Sequence, residues 1–117
     1  MNAQKYIEQS STLENYFSDF TSADIEKIEV LEYQAGTFIK DDNTEGHSVF
    51  FLVKGIGAVY SKIENGELFR YYYVIKDDVF GFSDVIAPNN KISDFSVKAM
   101  SDVVVLKIKK TLLNKFW

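Results

Sequence analysis

Ser48-Val49-Phe50-Phe51-Leu52-Val53-Lys54-Gly55-Ile56-Gly57 decides how this chain folds. Ser48 to Val53 is an almost unbroken apolar run, and two glycines close it. A short apolar run ended by a turn signal reads as a strand. Glycine tolerates positive φ, so Lys54 to Gly57 reads as a sharp turn or bulge. Ile56 to Ile63 is then the next strand. Glu64-Asn65-Gly66-Glu67 follows, and Asn-Gly is the strongest short hairpin signal. Leu68 to Ile75 is the returning strand. Phe69, Tyr71, Tyr73 and Ile75 fall on one of its faces, and Leu68, Arg70, Tyr72 and Val74 on the other, more mixed one.

Working outward, Val30-Leu31-Glu32-Tyr33 and Thr37-Phe38-Ile39 are short strands separated by Gly36. Asp41 to Gly46 is a polar turn. Asp77-Asp78 closes the strand before it. Phe80-Gly81-Phe82-Ser83 enters a short irregular or helical piece ending near Ala87 to Asn90. Phe95 to Ala99 and Val103 to Ile108 are the final strands. The first thirty residues read as short helices. Ser11-Thr12-Leu13-Glu14 has the capping-box pattern, hydroxyl first and carboxylate three later. Leu13, Tyr16, Phe17 and Phe20 recur at helical steps. Thr21 to Asp24 starts another helix, with Ile25 and Ile28 on one face. Lys109 to Trp117 opens a C-terminal helix. Short strands with frequent turn signals predict a mainly β sandwich, jelly roll or barrel. The expected organisation is one domain over 1–117. It comprises a helical lead-in over 1–29, a β-roll over 30–108 and the start of a helix over 109–117. The apolar Phe116-Trp117 fits either a helix cut short or one that docks on the roll.

Composition narrows the chemistry. The chain has 117 residues, no cysteine and one histidine, His47. Disulfides, thiol nucleophiles and Cys-ligated metals are excluded, as is any site built on several histidines. Net charge is −4, and the only arginine among 13 cationic residues is Arg70. That balance does not grip a phosphate backbone, which needs clustered cations. No apolar run is long enough to span a membrane, and Met1 is not followed by a signal-peptide pattern. A cytoplasmic, non-enzymatic protein is the expectation.

The order of turns resembles the cyclic-nucleotide-binding β-roll of the CRP/FNR superfamily. The matching features are Gly36 before the first roll strand, Phe51-Leu52-Val53-Lys54-Gly55, the hairpin Gly66 and Asp78-Val79-Phe80-Gly81. They span roughly residues 12 to 117. The resemblance implies a double-stranded β-helix, or jelly roll, with short N-terminal helices and the start of a C-terminal one. It implies the effector domain of a transcription regulator that senses a small molecule, homodimeric at full length. DNA contact falls to a domain absent from this chain, which has no helix-turn-helix pattern. Its site would lie at Val59, Tyr71, Phe80, Gly81, Phe82, Ser83 and Ser93. No cofactor or metal is implied.

The departures from the family pattern matter as much. Members that bind cyclic nucleotides place a glutamate after the cassette glycine, to hold the ribose. An arginine about ten residues on grips the phosphate through its planar fork. Here Phe82 follows Gly81, and the later stretch is Lys91-Ile92-Ser93-Asp94. A lysine lacks that fork, and Asp94 repels a phosphate. Tyr71 and Tyr72 stand where smaller wall residues are usual. Binding of cyclic AMP through this cassette is therefore not expected.

Other features have plainer readings. Arg70 suits a ligand carboxylate, but a surface salt bridge is the commoner fate. His47, beside Gly46, reads as an exposed turn residue. Tyr71-Tyr72-Tyr73 cannot form one stacking platform if strand alternation holds. The Asp41-Asp42-Asn43 turn lacks the spacing of a calcium loop. Lys107, Lys109 and Lys110 form a small basic cluster that reads as a solvated face. The alternatives to a regulator's effector domain are a regulatory module of another signalling protein and a cupin-like protein without a metal.

Overall fold

The computed structural model of the chain describes residues 3–39, 48–62, 68–80 and 95–114. Three short helices lead in: α1 (Ala3–Glu8), α2 (Ser11–Tyr16) and α3 (Ser22–Glu26). The start of α2 corrects the sequence reading. Its cap is Ser10, in extended backbone, whose hydroxyl accepts the Leu13 N–H at 3.2 Å. The reciprocal capping box forms at α3 instead. Thr21 Oγ1 accepts the Asp24 N–H at 3.1 Å, and Asp24 Oδ2 accepts the Thr21 N–H at 3.0 Å. That carboxylate satisfies two conditions at once, because Asp24 is buried and still bonded. α2 also ends at Tyr16, so Leu13, Phe17 and Phe20 reach the core from a helix followed by a turn.

Among the described residues eight strands follow: β1 (Glu29–Tyr33), β2 (Phe38–Ile39), β3 (Ser48–Lys54), β4 (Gly57–Lys62), β5 (Leu68–Val74), β6 (Val79–Phe80), β7 (Phe95–Ala99) and β8 (Val103–Lys109). The last helix, α4, covers Lys110–Leu113. The strands form two antiparallel four-stranded sheets, ordered β1-β8-β3-β6 and β2-β7-β4-β5. This wrapped order, in which early strands pair with late ones, is that of a jelly roll.

The central strands β3 and β8 are buried along almost their whole length because both faces of their sheet are covered. One face, bearing Val49, Phe51, Val53, Val104, Leu106 and Ile108, packs on the helices. Phe51 meets Phe17 and Tyr16 edge to face, with ring centroids 5.1 and 5.4 Å away. The other face, bearing Phe50, Leu52, Val103 and Val105, packs on Ile39, Val59, Val74 and Ala99 of the second sheet. A strand buried on two sides cannot show polar–apolar alternation, hence the continuous apolar runs in the sequence.

Several boundaries and faces differ from expectation. β1 begins at Glu29 and β8 extends to Lys109, one residue beyond each predicted limit of the roll. β4 begins at Gly57, and Ile56 lies in the preceding turn. Phe80 belongs to a strand, β6, not to an irregular piece. In β5 the predicted apolar face is reversed: Val74 is buried, whereas Tyr73 and the following Ile75 are exposed. Tyr72 is exposed too, so the face shared by Tyr72 and Val74 is the one turned to the interior only near Val74. The β4–β5 register explains the lost regularity. Val59 pairs with Tyr72 and Tyr60 with Arg70, which leaves Tyr71 as the extra residue of a bulge. The polar turn at 41–46, His47, the Asn65-Gly66 hairpin and the piece after Phe80 lie outside the described residues.

Candidate functional site

The roll has two ends. Glu29, Ser48, Phe80, Ile39 and Phe95 mark one, and Tyr33, Val103, Val74, Gly57 and Ala99 mark the other. β6 finishes and β7 starts at the first end. Of the predicted site residues that are described, Phe80 lies at that end, whereas Val59 and Tyr71 lie part-way along β4 and β5. Val59 and Phe80 both belong to the inner core, 3% and 5% exposed. Phe80 stacks on Phe50, its register partner across β3 and β6, with centroids 5.2 Å apart and planes 10° from parallel. Tyr71 lies in β5 at the bulge opposite Val59 and Tyr60. Gly81, Phe82, Ser83 and Ser93 lie outside the described residues, as do Lys91 and Asp94.

Sequence reasoning missed one residue of this inner face. Lys107 is only 5% exposed, which corrects the solvated-face reading of the basic cluster. On β8, Val103 and Val105 face the roll interior, and Val104, Leu106 and Ile108 face the helices. Alternation gives Lys107 the parity of the interior set. Its register neighbours are Glu29 on β1 and Phe50 on β3, so one cross-sheet row reads Glu29, Lys107, Phe50, Phe80. Lys109 behaves as predicted: it is exposed, with its ammonium 3.9 Å from the Glu29 carboxylate. The β8 alternation is the signal that separates Lys107 from it. An open depression lined by Glu32, Tyr33, Gln34, Gly36, Thr37 and Phe38 lies at the opposite end of the roll.

With this geometry in place, a family model described as the cyclic nucleotide-binding domain matches residues 30–117. The chain belongs to the cyclic nucleotide-binding domain family. The domain shares its fold with solved structures at low identity. The sensor domain of the transcriptional regulator DNR from Pseudomonas aeruginosa aligns with a TM-score of 0.74 and 8% identity, over 96% of this chain and 78% of that one. The regulatory subunit of a cAMP-independent protein kinase A from Trypanosoma cruzi, bound to guanosine, aligns with a TM-score of 0.71 and 16% identity, over 97% of this chain. The corresponding Trypanosoma brucei subunit aligns with 0.68 and 20%, over 92% of this chain. The domain spans 39% and 42% of the length of those two kinase subunits. A comparison with curated proteins finds no match. Among the described residues, no helix is long and apolar enough to cross a membrane.

Proposed function

We propose that this domain is the effector-sensing part of a CRP/FNR-type transcription regulator, non-enzymatic and cytoplasmic. Its homodimer contacts and DNA-binding part would lie outside the residues given. The observation that carries this reading is the likeness to the DNR sensor domain, which pairs nearly the whole of this chain with most of that one. The effector is a small molecule: guanosine in the Trypanosoma cruzi subunit is one such ligand on this fold.

Cyclic AMP held through a glutamate–arginine cassette is not that effector. Phe82 follows Gly81, and no arginine occurs between residues 81 and 94. A Trypanosoma brucei subunit bound to cyclic AMP is a triple variant in which one substitution introduces an arginine and another replaces a glutamate by alanine.

A second reading, a kinase-type regulatory module, is favoured by the alignments to the two trypanosome subunits. Extending the reading frame past Trp117 separates the two. A helix-turn-helix is expected there, and a second cyclic-nucleotide-binding domain would overturn the regulator reading. Calorimetric titration of residues 1–117 with cyclic AMP is expected to show no micromolar binding, and tight binding would refute the cassette argument.

A further inference from the structure

We propose that the end of the roll marked by Val74, Gly57 and Ala99 is a docking surface for an acidic amphipathic helix of another protein. The proposal goes beyond the effector reading and does not depend on it. Val74, Gly57 and Ala99 are register neighbours across β5, β4 and β7. The next residues along, Ile75, Ile56 and Met100, form a row across the strand ends, and the Met100 N–H donates to the Ile56 carbonyl at 2.9 Å. All three are large, apolar and about half exposed, at 56%, 46% and 43%. Tyr73, two residues before Ile75, is 48% exposed. The row runs on toward the open depression lined by Tyr33, Gln34, Gly36, Thr37 and Phe38. There the Gly36 N–H donates to the Ala99 carbonyl at 2.7 Å, and the Ala99 N–H to that of Thr37 at 2.8 Å.

Area, spacing and charge choose the occupant. Four half-exposed side chains offer roughly 400 Å² of apolar surface, the size of patch that marks interaction sites on monomers but well short of the ~800 Å² per partner of a stable dimer. A second copy of this chain is therefore a poor match. Neighbouring strands stand about 4.8 Å apart and successive helix turns about 5.4 Å, so a helix laid across the strand ends meets the row with one apolar side chain per turn. Lys76 follows Ile75, Lys54 lies two residues before Ile56, and both are exposed. The carboxylates nearby are turned to the backbone or inward. Asp78 Oδ2 accepts the Ile75 N–H at 2.8 Å, Asp102 Oδ1 accepts the Ala35 N–H at 2.9 Å, and Asp77 Oδ1 is buried. The outward charge beside the row is thus positive, and it favours carboxylates on the partner and steers their approach. Glu32 lines the depression, so the acidic side of the helix falls at Lys54 and Lys76 and an apolar end over Tyr33 and Phe38.

A fluorescein-labelled sixteen-residue peptide tests this on residues 1–117 by anisotropy. It carries leucine at alternating steps of three and four, with glutamate elsewhere. One control scrambles its order, and another replaces every glutamate by lysine. The striped acidic peptide is expected to bind at least about tenfold more tightly than either control. Amide shifts should centre on Ile56, Ile75 and Met100. Ile56→Asp and Met100→Glu should each weaken binding at least about tenfold, as should the pair Lys54→Glu and Lys76→Glu. Ser11→Ala, on α2, should leave it unchanged. The altered side chains are exposed, so urea midpoints should stay near that of the wild type. Equal binding of the three peptides overturns the proposal, as does binding unmoved by both Ile56→Asp and Met100→Glu. A dimer of residues 1–117 in sedimentation that Ile56→Asp dissolves also overturns it, because the face then belongs to a second copy. None of these outcomes bears on the effector reading.

Discussion

Gly55 stands directly against the backbone of Asp102: a Cβ built on the glycine collides with the Asp102 carbonyl oxygen and comes within 2.8 Å of the Ser101 hydroxyl. Its φ is +93°, while Gly36 has nearly the same φ, +92°, with nothing within 4 Å of its would-be Cβ. The two positions separate backbone strain from crowding. Gly36→Ala should cost only the left-handed penalty, roughly 1–2 kcal/mol. Gly55→Ala adds an overpacking cost against backbone that cannot swing aside, for a total of roughly 2–5 kcal/mol. Urea unfolding of both variants checks this, and equal losses would deny the close approach.

Phe51 is fully buried between sheet and helices and touches the rings of Phe17 and Tyr16. Phe51→Ala should destabilise the domain by about 3–5 kcal/mol, the usual cost of a large aromatic cavity. Thermal unfolding followed by far-ultraviolet circular dichroism measures it.

The caps make a sharper comparison. Ser10→Ala and Thr21→Ala each remove a helix cap and should cost about 1 kcal/mol. Ser11→Ala, inside the first turn of α2 and exposed, should stay within about 0.5 kcal/mol. A larger loss at Ser11 than at Ser10 in denaturant unfolding would return the cap to the position that the sequence pattern suggested.

Asp77 adopts a φ of 74°, unusual for a residue with a side chain, and its Oδ1 is buried with no hydrogen-bond partner. The turn itself is fixed by backbone: the Asp77 N–H donates to the Leu52 carbonyl at 2.7 Å, and the Leu52 N–H to that of Asp78 at 2.9 Å. Asp77→Gly relieves both defects and keeps both bonds. It should raise stability by about 1 kcal/mol, seen as a higher urea midpoint at unchanged slope.

The roll was legible because its central strands are covered on both sides. Ser48 to Val53 and Val103 to Ile108 admit no exposed reading, and the glycine at 55 ends the first of them at a left-handed turn. What escaped is local. Ser10 and Ser11 are chemically identical, and only tertiary packing chooses which one caps α2. Strict alternation misjudged β5, because a bulge at Tyr71 shifts the phase and no residue there announces it. Lys107 was grouped with its exposed neighbours by sequence proximity, although a period of two along β8 assigns it inward.

Phe50 and Phe51 are joined by a single peptide bond, yet they serve different cores: one faces the stacked ring of Phe80, the other the rings of the helical cap. A β-strand sends such neighbours to opposite faces of its sheet. Substituting Phe50 therefore disturbs the core between the two sheets, and substituting Phe51 the core beneath the helices.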